Sequence, residues 1–180
     1  MSETIDSLTL RERFLGAPEF EDMLAAAQKN AELWAAVWRR ADVPDEYVRR
    51  VAALGGAWHL LVLSEDWCGD AVNTVPIVAR LAELSPNVDL RVLARDENPD
   101  LMDSHLTGTS RSIPVVIVLD EQFREHGWWG PRPAELQQWV LGPGKALEKD
   151  ERYKRIRAWY ARDRGRSTLE EVVALMERAR

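Results

Sequence analysis

Apolar residues at Phe20, Met23, Leu24, Ala27, Ala31, Trp34 and Trp38 recur at the three- and four-residue intervals of a helix with one buried face. With Pro18 suited to a first turn, the spacing predicts a helix within residues 18–40. Tyr47, Val51 and Leu54 repeat the pattern over Pro44–Leu54, and Gly55-Gly56 ends it. At Trp58 the period changes. WHLLVLS, residues 58–64, is a short unbroken apolar run, as expected of a strand covered on both faces in a parallel sheet. Val72, Val75, Val78 or Ala79, and Ala82 then share one side of a helix that begins after Cys68. VDLRVL, Val88–Leu93, is a second strand, and the stretch between is long enough for a helical crossover, so the two strands should lie parallel.

Asn98-Pro99-Asp100 has the form of a helix start, predicting a short helix over Pro99–His105. PVVIVLD, residues 114–120, is the strongest strand, and after a turn at Asp120–Gln122 the segment Phe123–Trp129 returns as an antiparallel edge strand. A helix over Pro133–Leu141 is stopped by Gly142-Pro143-Gly144. Two more helices follow: one carries Tyr153, Ile156, Trp159 and Tyr160, and the other opens at the capping box Ser167-Thr168-Leu169-Glu170 and uses Leu169, Val172, Val173 and Met176. The pattern predicts an α/β chain with a central mixed sheet of about four strands flanked by helices. Residues 1–56 and 142–180 are helical extensions packed with a 57–141 core as one domain.

Composition narrows the function. The 180 residues are 46% hydrophobic, enough for an ordinary core, and no window resembles a membrane span or a secretory signal, so a soluble, cytoplasmic protein without membrane partners is expected. A net charge of −6 argues against nucleic acid. Residues 148–180 hold ten Lys/Arg against seven Asp/Glu, a local +3 that leaves −9 on the remainder, read as a solvated helix face. The histidines, His59, His105 and His126, show no zinc spacing to Cys68, so neither a metal site nor a cofactor is expected.

The chemistry centres on 64-SEDWCGDAVNTVP-76. Cys68 is the only cysteine, which excludes an intramolecular disulfide. It stands at a strand-to-helix junction, where unpaired N–H groups and the helix dipole favour a thiolate. A lone cysteine is ordinarily a small buried hydrophobe, but Ser64, Glu65, Asp66, Gly69 and Asp70 make this junction polar. Gly69 is expected to let another backbone approach the sulfur, and Asp66 to accept backbone N–H groups as a cap. Asp70 opposes thiolate formation while the helix end favours it, so at most a moderate lowering of the Cys68 pKa is expected; Asp70 also reads as a first-turn acid complementing the dipole.

LLVLSEDWCGDAVNTVP resembles the active-site strand, loop and helix of the thioredoxin family, in which Trp-Cys-Gly-x-Cys opens a helix with a proline eight residues after the first cysteine; Pro76 stands there. Ser112-Ile113-Pro114 before VVIVLD resembles the family's cis-proline turn, and Gly130 matches the glycine lying beside it. The similarity spans roughly residues 57–141. EDWCGDA, RDENPDLMD, RSIP and WWGPRP together look like a bacterial branch of single-domain thioredoxin-like proteins with extra helices at both ends. Two departures stand out: the second, resolving cysteine is Ala71, and the acid six residues before the first cysteine is Val62.

The resemblance implies a thioredoxin-like fold and a monothiol oxidoreductase. On this resemblance Cys68 would be the catalytic residue, Trp67, Gly69, Asp70 and Ala71 would form the active-site loop, and Ile113, Pro114 and Gly130 would bind substrate. Mixed disulfides with a protein disulfide or a low-molecular-weight thiol would be resolved by an external thiol. The alternative is a redox-inactive thioredoxin-fold module that binds a protein or peptide across the same groove, since fold does not decide function. A shared iron–sulfur cluster is disfavoured by the charge of Asp70, and nothing specific supplies a peroxide-binding Thr and Arg. Trp67 is expected beside the sulfur, and only one of Trp128 and Trp129 can face it. Trp34, Trp38, Trp58, Trp139 and Trp159 are assigned to packing. Arg111 and Arg132 flank Pro114 and Gly130 and could hold a thiol's carboxylate or steady the thiolate, although both read first as surface arginines.

Overall fold

The computed structural model describes residues 6–180, so residues 1–5 of the N-terminal extension lie outside the described residues. β1 (Trp58–Ser64) and β2 (Val88–Ala94) run parallel in register from Trp58 opposite Val88 to Ser64 opposite Ala94. They are joined by α5 (Gly69–Leu84), the crossover the periodicity predicts. β3 (Val115–Leu119) lies antiparallel to β1, and β4 (Glu125–Trp129) antiparallel to β3 with an irregularity between Ile117 and Leu119. The sheet order is β2-β1-β3-β4. β1 and β3, the two inner strands, are the continuous apolar runs of the sequence, and both are covered on either face.

Helices α1 (Ser7–Gly16), α2 (Phe20–Ala26), α3 (Ala31–Arg40) and α4 (Asp45–Leu54) precede the sheet, and the short α6 (Pro99–Asp103) follows β2. α7 (Ala134–Leu141), α8 (Lys149–Asp163) and α9 (Arg166–Arg178) follow β4. The mixed four-strand sheet is therefore flanked by helices from both ends of the chain. The main core runs from Leu10 and Phe14 of α1 through β1, α5 and β3 to Leu169, Val172, Val173 and Met176 of α9. A second, smaller cluster joins Leu136 of α7 to Ile156 and Tyr160 of α8, with Trp139, Val140 and Trp159 around them.

Five elements differ from expectation. α1 has no clean apolar stripe, yet it buries Leu10 and Phe14 on the sheet. The single helix over 18–40 is two, because Asn30 takes a left-handed turn (φ 54°) and the N–H groups of Gln28 and Lys29 are drawn to Asp66 instead of to a preceding turn. The stop at 142–144 continues as a 3-10 turn over Pro143–Ala146, and the helix expected to reach His105 ends at Asp103. The capping box is not formed. Gly165 caps α9, Ser167 bonds back to Asp163, the Thr168 hydroxyl is buried without a partner among the described residues, and Glu170 turns outward to Arg50 of α4.

Residues 18 and 19 also matter to the sheet. The Val92 N–H donates to the Pro18 carbonyl, and Glu19 bridges Arg91, so the α1–α2 connection covers part of the outer edge of β2.

Candidate functional site

β1 ends at Ser64 and α5 begins five residues later at Gly69, with Cys68 as its N-cap in extended conformation (φ −82°, ψ 114°). The Cys68 carbonyl accepts the Val72 N–H, and its sulfur accepts the Ala71 N–H at 3.5 Å, so a thiol occupies the place usually taken by a capping oxygen. The Sγ also lies 3.4 Å from the Ile113 carbonyl, to which the thiol donates. The Ile113–Pro114 peptide is cis. Gly130 stands against this turn at φ 137°: a Cβ there would lie 2.0 Å from the Pro114 carbonyl oxygen, a distance no side chain could tolerate. The structure thus brings Cys68, Ile113, Pro114 and Gly130 together, from three separated segments.

The loop between β1 and α5 is held from the N-terminal side. The Asp66 carboxylate accepts the N–H groups of Gln28 and Lys29, both at 2.9 Å, and these bonds hold its pKa below the ordinary carboxylate value despite the opposing effect of burial. Asp66 therefore caps the α2–α3 turn and not the helix after Cys68. Its carbonyl accepts from the Trp34 indole at 2.9 Å and the Asn30 amide at 3.2 Å. Trp34, expected only to pack, is fully buried and also fixes the loop. Glu65 accepts the Asp96 N–H, tying the end of β1 to the end of β2.

Trp67 is 49% exposed, with the Arg95 guanidinium 5.0 Å from its ring centre. Gly69 opens α5 at the surface, and a Cβ on it would meet nothing within 4 Å. The close backbone approach expected there occurs at Gly130 instead. Ala71, where a resolving sulfur would sit, is fully buried, as is Val62. Trp129 is buried and donates to Glu171, while Trp128 lies edge-on to His105. Arg111 is an exposed arginine paired with Asp103.

Arg132 and Asp70 depart furthest from their sequence readings. Arg132 Nη2 lies 2.9 Å from Asp70 Oδ2, with the two side chains only 20% and 14% exposed. Arg132 Nη1 donates to Gln137 at 2.7 Å, and the Tyr160 hydroxyl donates to Asp70 Oδ1 at 2.7 Å. Tyr160 belongs to α8, ninety residues away in sequence, and its periodicity marks it only as apolar face. Burial and the adjacent Asp70 carboxylate push its phenol well above the ordinary value. Signals for the cluster did exist: an acid in the first turn and an arginine two residues after the matching glycine.

Cys68 as a residue is 8% exposed. Burial pushes the Cys68 thiol above its ordinary pKa and Asp70 adds to this, while the Ala71 and Asp70 N–H groups and the Arg132 charge act the other way without prevailing. The expected lowering is thus corrected to a rise, because the tertiary packing desolvates the sulfur more than the helix end compensates. Among the described residues no group of three His, Cys, Asp or Glu side chains is arranged to hold a metal, and no helix is long and apolar enough to cross a membrane.

A sequence model of the thioredoxin family matches residues 17–160, most of the chain. The chain belongs to the thioredoxin family. This family member also resembles a crystal structure of a protein of unknown function from Pseudomonas aeruginosa, with a TM-score of 0.77 and 22% identity over 98% of this chain and 100% of that one. A crystal structure of an HIV epitope-scaffold is similar at a TM-score of 0.73 and 20% identity, over 93% of this chain and 96% of that one. Both likenesses are likenesses of fold. No curated protein matches the thioredoxin-family chain in sequence.

Proposed function

We propose that this thioredoxin-family protein is a monothiol thiol–disulfide oxidoreductase working through Cys68 alone. The supporting observation is the junction: a sulfur at the N-cap of α5, 3.4 Å from the carbonyl of the cis Ile113–Pro114 peptide, with a buried alanine where the resolving sulfur would be. The Cys68 thiolate attacks one sulfur of a substrate disulfide. A bond forms between Cys68 and that sulfur, the old S–S bond breaks, and the departing thiolate carries the electron pair and takes up a proton. An external thiolate then attacks the substrate sulfur of the mixed disulfide, forms a new S–S bond and returns Cys68 as a thiolate. Glutathione, bacillithiol, coenzyme A or a protein cysteine would serve. Each step trades one S–S bond for another, so the cycle needs no redox cofactor. A reducing compartment such as the cytoplasm supplies these thiols, and the exposed Trp67 face with Arg95 offers the substrate its footing.

A second reading, a redox-inactive module that binds a peptide across the same groove, draws support from the burial of the sulfur and the rise of its pKa. Intact-mass spectrometry after incubation with glutathione disulfide separates the two. The oxidoreductase gains one glutathione on Cys68, loses it on addition of free thiol, and gains none as Cys68→Ser. No adduct on the folded wild-type protein, together with alkylation no faster than free cysteine across the pH range, overturns the first reading in favour of the second.

A further inference from the structure

We propose that Asp70 restrains Cys68 by holding Arg132 in an ion pair, so that the cation placed to stabilise the thiolate is spent on a carboxylate and becomes available when the pair is broken at its Asp70 end. The inference rests on the reading of Cys68 as a working thiol and deepens it by naming what governs its reactivity.

Three segments build the arrangement. Arg132 follows Gly130 by two residues, and the Gly130 backbone is pressed against the Pro114 carbonyl, which anchors the β4–α7 connection to the turn that touches the sulfur. From there Arg132 reaches Asp70 Oδ2 at 2.9 Å, with Gln137 bracing its other nitrogen at 2.7 Å. The second Asp70 oxygen accepts the Tyr160 hydroxyl at 2.7 Å. Tyr160 is immobilised in turn: its ring is buried with Leu136 and Ile156, and the α8–α9 corner five residues later packs on α5, where a Cβ on Gly165 would lie 2.8 Å from Ile77. Both carboxylate oxygens are taken, so Asp70 cannot turn away, and Arg132 keeps an unpartnered buried Nε–H among the described residues.

The charged groups acting on the sulfur are Asp70 from its own helix and Arg132 from the β4–α7 connection, and the sulfur in turn helps to raise the pKa of Tyr160 from α8. Asp70 disfavours the thiolate and Arg132 favours it. Joined in one pair, their effects on the sulfur oppose each other, and burial is left to decide. A neutral amide at position 70 removes the opposing charge while the cation stays.

The test is the rate of Cys68 alkylation by iodoacetamide against pH in wild type, Asp70→Asn, Arg132→Met and the double variant, each checked for native circular dichroism. Asp70→Asn should lower the apparent midpoint by about one unit and so speed alkylation near neutrality about tenfold. Arg132→Met should shift it upward, and the double variant should fall close to wild type. Should Arg132→Met not fold, Asp70→Asn and the double variant still decide. An Asp70→Asn profile that coincides with wild type, or a double variant as reactive as Asp70→Asn, overturns the proposal, the latter because the gain would not depend on Arg132. Glutathione disulfide in a parallel arm separates the two readings. A faster, down-shifted Asp70→Asn thiol that forms no mixed disulfide upholds the restraint and removes the exchange function. A wild type that forms the mixed disulfide beside an unchanged Asp70→Asn profile removes the restraint alone.

Discussion

Replacing Arg132 by methionine keeps an unbranched apolar stem and deletes the guanidinium and its charge, which makes it a direct probe of the cluster beside Cys68. At 2.9 Å and an effective dielectric constant of about 20, the Arg132–Asp70 attraction is about 6 kcal/mol before desolvation is subtracted. Losing one member of a buried pair costs about 3–5 kcal/mol, because the other charge is left in the interior without compensation. Asp70 retains the Tyr160 hydroxyl and a little water contact, so the lower end, about 3 kcal/mol, is expected. Urea denaturation measures it: with a slope of about 2 kcal/mol/M, the midpoint should fall by about 1.5 M. Adding Asp70→Asn to Arg132→Met should restore most of the loss, since no buried charge then remains. Arg111→Met is the internal control, because its pair with Asp103 is half-exposed on both sides and its loss should barely move the midpoint. A cost below about 1 kcal/mol for Arg132→Met, or a double variant no more stable than the single, would refute the claim that the pair is effectively buried.

The remaining expectations concern the groups around it. Gly130→Ala should cost about 3 kcal/mol, seen as a lowered melting temperature, because the new Cβ meets the Pro114 carbonyl at a backbone angle that favours glycine; a wild-type melting curve would show that the turn yields. Ala71→Cys places a second sulfur one helical turn from Cys68, within the Cα spacing a disulfide requires, so mild oxidation should remove two hydrogens from the intact mass and block both thiols; two free thiols after oxidation would contradict the geometry. Asp66→Ala should destabilise by about 1.5 kcal/mol through the loss of the Gln28 and Lys29 bonds. Because the Asp66 pKa is lowered in the folded protein, its stabilisation is present above the ordinary carboxylate value and lost as pH falls, so wild type should lose more stability than Asp66→Ala between about pH 5 and pH 2. His105 behaves in the opposite sense. Burial lowers its pKa, but Nε2 faces Glu125 at 2.9 Å and Nδ1 faces the Leu101 carbonyl at 2.8 Å, two acceptors that call for an imidazolium and raise it overall. Its contribution is full below the ordinary histidine value and lost as pH rises through the higher folded one, so Glu125→Gln should flatten the decline in urea midpoint between about pH 6 and pH 9; an equally steep decline in that variant would exclude the pair as its source.

The sequence by itself determined the strands, their alternation with α5 and the placement of Cys68 at a strand-to-helix junction, because each of these is written in local periodicity and in residues a few positions apart. WHLLVLS reads as a strand covered on both faces and PVVIVLD as the strongest strand. Gly130 and Ile113-Pro114 were legible through the family resemblance, each tied to a motif. The tertiary structure decided how the site is bounded and charged. Asn30 and Asp66 divide what the apolar spacing reads as one helix, since a carboxylate from another segment competes for its N–H groups. Trp34 and Tyr160 carry helical-face signatures that record burial but not the bonds made by their polar ends, thirty-two and ninety residues away. Arg132 reads as a surface residue until the fold sets Asp70 against it. The cysteine makes the same point: its own helix favours a thiolate, and the layers packed over it reverse the balance, because desolvation depends on everything nearby in space and leaves no pattern along the chain.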